Sequence, residues 1–242
     1  MVEQRPQDAH IRIYPLGTDG YVLRVSDSLT EAANATAIAL AKVIAPLEGV
    51  IEAAPSLTSV FVRFDPVKVA RAAFVAMLEE KVRDFEAPDD RAQRRWTIPV
   101  CFDASAAPQL AEVADITGLG QEALIGELCA ARLSVLALGF APGQPYLGIL
   151  PEAWDIPRQT SLTEAVPQGA ITVAVRQIVL FANRSATGWR QIGQTGFRPF
   201  DLGRAAPVAL TAGDEVRFVP IGRGEFDGLL SDPMGGARLE TL

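Results

Sequence analysis

The chain has 242 residues, 49% of them hydrophobic and 21% charged, a balance that suits one or two packed globular domains. Its net charge of −7 and pI near 4.9 argue against a general binder of nucleic acid or of anionic membranes. His10 is the single histidine, which excludes any mechanism needing two and argues against a His-based zinc site or a Ser-His-Asp triad.

Cys101 and Cys129 are too few for a disulfide framework and lie in apolar surroundings, so two reduced, buried thiols are expected. No metal site is evident. The first ten residues lack the charged-then-apolar pattern of a signal peptide, and Glu127, Arg132 and Arg176 interrupt the longest apolar runs. A cytoplasmic protein is expected.

Residues 11–14 and 21–25 read as short strands around the turn-rich Leu16-Gly17-Thr18-Asp19-Gly20, with His10 a surface residue beside the first. Ser28-Leu29-Thr30-Glu31 fits a capping box, serine capping and glutamate reaching back. The helix that follows carries Ile38, Leu40, Val43, Ile44 and Leu47 at helical spacing and ends near Pro46. Two more strands are expected at 50–54 and 59–64. Asp65-Pro66 then predicts a second helix, with Phe74, Met77, Leu78 and Val82 as its buried stripe. The composition turns polar over 86–95, where Arg91, Arg94 and Arg95 beside Asp89 and Asp90 read as a solvated hinge. The expected division is an α+β domain of ferredoxin-like type over 1–88 and a second domain over 89–242.

The second domain opens with a strand at 96–102, whose Pro99 favours a sheet edge or a strand end. Short helices over 110–116 and 121–131, split by Gly118 and Gly120, lead to a buried strand at 133–138. Short β-rich runs follow at 170–175, 178–181, 189–192 and 215–220, with no useful helical periodicity beyond about residue 150. This half is expected to be a β barrel.

The segment at 139–148, GFAPGQPYLG, holds three glycines and two prolines yet keeps Phe140, Tyr146 and Leu147. Glycine admits positive φ and proline fixes φ, so the composition describes a tight, rigid segment that packs its aromatics and leaves backbone amides free to face a partner group. It lacks the lysine and hydroxyl pair of a phosphate-cradling loop. It reads equally as a structural corner. Arg158, in a polar loop with Gln159, Thr160, Ser161 and Thr163, can clamp a carboxylate or phosphate, or tie down a loop carbonyl. Val166-Pro167-Gln168-Gly169 reads as a β-turn within a hairpin. Trp189 offers a flat wall for a ligand or a core side chain, and Arg190 and Gln191 beside it should alternate, one toward solvent. Asp201 and Asp214 sit at turns, where carboxylates commonly cap their own backbone.

Taken in order, Ile98-Pro99-Val100, GFAPGQPYLG, Pro157-Arg158, Val166-Pro167-Gln168-Gly169, Gly188-Trp189-Arg190-Gln191-Ile192-Gly193 and Gly213-Asp214-Glu215-Val216-Arg217-Phe218 resemble the KipI family. That family is also called allophanate hydrolase subunit 1 or the B subunit of 5-oxoprolinase, and the same unit occurs as a carboxyltransferase subdomain in urea amidolyases. The likeness begins at Tyr14-Pro15-Leu16-Gly17 and is densest from Trp96 to Phe218. It implies a cyclophilin-like barrel for the second domain. It also implies two partners, the KipA-like C component and the LamB-like A component of 5-oxoprolinase. The implied reaction is ATP-coupled opening of 5-oxoproline to glutamate, the ATP belonging to the complex. The alternatives it carries are a KipI-like module that inhibits a histidine kinase and a divergent member of allophanate or urea-carboxylase type. A pocket of the family type would use Arg158, Gly143 and Thr195 as catalytic residues, with Phe140, Pro142, Tyr146 and Trp189 binding substrate. The chain departs from the family pattern at Gln144, Leu162-Thr163, Ala186-Thr187, Gln194 and Glu127-Leu128-Cys129.

Overall fold

The computed structural model describes residues 11–87 and 92–242, so His10 and Arg91 lie outside the described residues. The chain separates into two compact units, Met1–Arg91 and Ala92–Leu242.

The first unit runs β1 (Arg12–Leu16), β2 (Gly20–Arg24), α1 (Glu31–Ile44), β3 (Val50–Ser56), β4 (Ser59–Phe64) and α2 (Arg71–Arg83). Its sheet has the order β1-β2-β4-β3, antiparallel throughout. That is the ferredoxin-like sheet with the chain opened one strand earlier. Alternation decides the faces: Tyr21 and Leu23 from β2 and Val60, Val62 and Phe64 from β4 point to one side. There they meet Ala37, Leu40, Ala41 and Ile44 of α1, spaced i, i+3, i+4, i+7, and Phe74 and Leu78 of α2. Phe64 and Phe74 stack at 4.3 Å between ring centres. Val43, expected on the stripe, is exposed because it falls between these positions.

Two helix starts differ from expectation. Thr30, not Ser28, caps α1: its Oγ1 accepts from Ala33 N at 3.1 Å, while Ser28 N donates to Ser26 Oγ in the preceding turn. Asp65-Pro66 forms a turn, with Asp65 Oδ1 accepting from Val67 N, and α2 begins only at Arg71. The carboxylate does cap, but it caps a turn.

The second unit contains β5 (Arg94–Cys101), α3 (Leu110–Thr117), α4 (Gln121–Ala130), β6 (Leu133–Leu138), β7 (Pro145–Gly148), β8 (Thr163–Val166), β9 (Ala170–Ala174), β10 (Gln177–Leu180), β11 (Ser185–Thr187), β12 (Arg190–Gln194), β13 (Glu215–Ile221), α5 (Arg223–Leu229) and β14 (Arg238–Thr241). The strands follow the order β12-β9-β10-β7-β6-β13-β5, and β12 pairs back onto β5 at Gln194 and Cys101. This closes a mixed barrel, with β13 parallel to β5 and β14 added alongside. The chain is therefore α+β with a barrel in its second half, as expected. The helix α5 and the strands β7, β8, β11 and β14 are additions to the expected elements: α5 spans seven residues and buries only Phe226, too little for a periodic signal, and β7, β8, β11 and β14 are three or four residues each.

Pro99 does not mark an edge. On one side β5 pairs continuously with β13; on the other, β14 ends opposite Thr97 and β12 meets β5 only at Cys101. Pro99 falls where the ladder on that side is interrupted, which is how a barrel strand tolerates it. Arg94 and Arg95 are not a solvated hinge either. They begin β5 and pair with Asp214 and Glu215 at the entry to β13. Asp214 is buried and accepts from Arg94 Nε at 2.8 Å, Trp96 Nε1 at 3.1 Å and Thr211 N at 2.9 Å, so it joins two strands beyond capping its own turn.

Every residue of β9 is buried. Ile171 and Val173 face the large core with Leu147, Ile178, Ile192 and the helices α3 and α4. Ala170 and Ala174 face outward into a second cluster with Val166, Val179, Phe181 and Trp189. That outer cluster carries the candidate site.

Candidate functional site

The loop from β6 to β7 is closed by Gly139 N donating to Gln144 O at 3.0 Å and Gln144 N donating to Ala141 O at 3.1 Å. Gly143 has φ +67°, a conformation that favours glycine, and a Cβ there would be tight, 3.1 Å from Phe200 Cβ and Pro199 O. Phe140 also has a positive φ, +69°, and is 78% exposed, against the expectation that the loop packs its aromatics. The inward place is taken by Gln144, 1% exposed, whose Oε1 accepts from Ala182 N at 3.3 Å. Pro142 is exposed beside Phe140.

Tyr146 lies on β7 opposite Val179 and meets Trp189 edge-on, ring centres 6.1 Å apart. Trp189 is 7% exposed, a core side chain of the outer cluster. One side packs in the outer cluster, and over the ring stands Arg158, its guanidinium carbon 5.5 Å from the centroid. Arg158 is exposed. Among the described residues its guanidinium makes no hydrogen bond and no ion pair. It does not tie down a loop carbonyl. Thr195 is 2% exposed at the end of β12; its N donates to Gly169 O at 2.9 Å and its Oγ1 accepts from Phe197 N at 3.1 Å. The structure thus joins Arg158, Trp189 and Tyr146 into one contiguous group. Gly143 packs on Pro199–Phe200 and Thr195 on Gly169.

The turn 166–169 is not part of a hairpin. β8 pairs with β11, and the turn hands the chain from that ribbon to β9. Gly169 has φ +80°, and a Cβ there would run into Thr195 O. Neither Arg190 nor Gln191 points to solvent. Arg190 donates to Glu112 Oε1 and to Pro157 O, each at 2.7 Å, and Gln191 Nε2 donates to Ala106 O at 2.8 Å. The start of α3 covers the face of β12 that alternation alone leaves open.

The sequence reading names Gln159 and Arg190 without tying either to Arg158. Gln159 stood beside it in a polar loop and could have been singled out. Gln109, fifty positions away, gave no signal. Among the described residues no group of three or more His, Cys, Asp or Glu side chains could hold a metal ion. Burial pushes the Cys129 thiol up to about 11, and Cys129 is half-buried where full burial was expected. No helix among the described residues is long and apolar enough to cross a membrane.

Residues 11–210 match the family model for the carboxyltransferase domain, subdomain C and D. The chain belongs to this family. The carboxyltransferase C/D chain is 32% identical over 210 residues to the B subunit of 5-oxoprolinase from Escherichia coli O157:H7, covering 86% of this chain and 95% of that one. It is 32% identical over 227 residues to the B subunit of 5-oxoprolinase from Bacillus subtilis (strain 168), covering 89% and 95%. Among solved structures it superposes on TTHA0988 with a TM-score of 0.73 at 32% identity; 84% of this chain covers only 40% of that longer one.

Several side chains at the positions where the resemblance led us to expect other residues are engaged in hydrogen bonds. Glu127 Oε2 accepts from Trp154 Nε1 at 2.9 Å, Thr187 Oγ1 accepts from Trp189 N at 3.0 Å, and Gln194 Nε2 donates to Gln168 O at 3.4 Å. Gln144 is engaged likewise, accepting from Ala182 N.

Proposed function

We propose that this chain is one subunit of an ATP-dependent amide hydrolase of the 5-oxoprolinase type, working with a KipA-like and a LamB-like partner. The observation that carries this reading is Arg158. A guanidinium stacked on an indole, with its donors uncommitted among the described residues, is built to receive a planar anion in two parallel hydrogen bonds. The carboxylate of 5-oxoproline is such an anion.

A lactam is a poor electrophile. Phosphorylation of its oxygen by ATP, with release of ADP, activates the carbon; one water adds there and the ring C–N bond breaks to leave a carboxyl phosphate, which a second water hydrolyses to glutamate and phosphate. Catalysis of such a step rests on positioning and on donors facing developing negative charge. In this proposal Arg158 holds the substrate carboxylate, amides near Gly143 face the developing charge, and Tyr146 and Trp189 form the apolar wall. Thr195 shapes the turn beside Gly169, and Pro142 borders the loop. The sequence contains no Walker-type loop, so the nucleotide is assigned to the assembled complex. The test is glutamate release from 5-oxoproline and ATP by this chain with its KipA-like and LamB-like partners. Release that needs all three supports the reading; a stable assembly that hydrolyses ATP without responding to 5-oxoproline overturns the substrate.

A second reading, a KipI-like module that blocks a histidine kinase, is favoured by Phe140. An aromatic side chain left exposed on a pinned loop is suited to anchor a protein partner. Kinase autophosphorylation assayed with the wild-type chain and with Phe140→Ala discriminates it.

A further inference from the structure

Two peptide groups flank the Cα of Arg158, and both are tied down. The Pro157–Arg158 peptide offers its carbonyl to Arg190, whose NH1 donates at 2.7 Å. The Arg158–Gln159 peptide offers its N–H, which donates to Gly188 O at 2.7 Å. Fixing the peptides on either side fixes the φ and ψ of the residue between them. Both ties lead to the same short segment, Gly188 to Arg190, which carries Trp189. A third reinforces them: Gln159 Nε2 donates to Trp189 O at 3.1 Å.

This clamp is itself held from behind. Gln159 Oε1 accepts from Gln109 Nε2 at 2.8 Å, and Gln109 Oε1 accepts from Gln191 N at 2.8 Å. Arg190 is kept in place by Glu112 at 2.7 Å, and its side chain is nearly buried. The loop carrying the cation and the segment carrying the ring are therefore registered to one another through the start of α3. Every hydrogen-bonding side chain in this set except Arg158 is committed to backbone or to another member.

We infer that Gln159 and Arg190, backed by Gln109, are positioning residues that hold the Arg158 guanidinium over Trp189 for an anionic ligand. The inference rests on the proposed anion site at Arg158. Their work is done before the ligand arrives. A guanidinium held in its binding pose loses less freedom on binding than a free surface arginine, an effect worth about tenfold in affinity.

The test uses the full chain labelled with 5-fluorotryptophan. Its three tryptophans give three fluorine resonances, and Trp189→Phe identifies the one from Trp189. Titration with 5-oxoproline, and separately with inorganic phosphate, reads binding at the ring and separates a carboxylate site from a phosphate site. In the wild type the Trp189 resonance shifts on titration, and in Arg158→Ala it does not. Gln159→Ala and Arg190→Lys bind about tenfold more weakly, with unchanged Trp96 and Trp154 resonances showing that the fold is kept. Gln109→Leu, which removes the same tie without touching the loop, weakens binding likewise and serves if Gln159→Ala fails to fold. A wild-type resonance that ignores both probes, or an Arg158→Ala chain that binds normally, overturns the anion site itself. If Arg158→Ala loses binding while Gln159→Ala, Arg190→Lys and Gln109→Leu bind as the wild type does, the site stands and the positioning inference falls.

Discussion

The guanidinium of Arg158 stands over the ring of Trp189 at 5.5 Å, and Tyr146 meets the same ring edge-on. One residue of the group is core and one is surface, so their substitutions should separate stability from function. Trp189→Ala empties much of the outer cluster and is expected to cost about 3 kcal/mol. Arg158→Ala removes a cation–π contact at an exposed site and should cost less than about 1 kcal/mol. Urea unfolding of the two variants checks the pair; equal losses would contradict the assignment.

Asp214 is the acceptor on which the start of β5 and the start of β13 converge. Asp214→Ala leaves the Trp96 indole N–H without its acceptor and the Arg94 guanidinium without its carboxylate, holding only Ala209 O and Thr211 Oγ1. A loss of roughly 2–4 kcal/mol is expected, discounted from a fully buried pair because Arg94 is partly solvated. Thermal unfolding measures it.

Glu215 gives a pH dependence with a definite sign. Burial, the largest single influence, pushes its carboxyl up, but the hydrogen bonds and charges of Arg95 and Arg217 together hold it below its ordinary value. A group lowered in the folded state contributes stability that is complete above its unfolded value, about 4.3, and lost as pH falls through the lower folded value. Wild-type stability should therefore decline below about pH 4.3, and Glu215→Gln should lose less across the same interval. Urea midpoints at about pH 5 and about pH 3 for the two proteins decide this.

Gly169 faces Thr195 too closely for any side chain, and its φ of +80° is unfavourable for one. Gly169→Ala must displace the Thr195 carbonyl and break the bond from Thr195 N, at a cost of roughly 3 kcal/mol or more. A variant as stable as the wild type would show that this turn moves freely.

The Cys129 thiol, pushed up to about 11 by burial, should react with iodoacetamide at about pH 8 roughly 100-fold more slowly than a free cysteine. Mass spectrometry of the alkylated protein follows this directly.

Local periodicity makes much of the fold legible. The strand at 133–138 is read to the residue, and the α1 stripe comes from apolar spacing. What the sequence does not show is partners distant along the chain. Arg94 and Arg95 read as a hinge because Asp214 and Glu215, 120 positions on, cannot be paired with them from composition. Arg190 and Gln191 read as one buried and one exposed because nothing local says that Gln109 and Glu112 will cover them. In the candidate site, Arg158, Trp189 and Tyr146 are legible as residue types in a familiar order. The exposure of Phe140 is not, because it follows from a left-handed backbone and from Gln144 taking the inward place.

The most direct measurement is the rate of glutamate formation from 5-oxoproline and ATP in the reconstituted complex, wild type against Arg158→Ala. A stably folded Arg158→Ala chain that still assembles should be slower by about 100-fold in kcat/KM. A variant complex that turns over at the wild-type rate would contradict the central claim, that Arg158 on Trp189 is the anion-holding element of this chain.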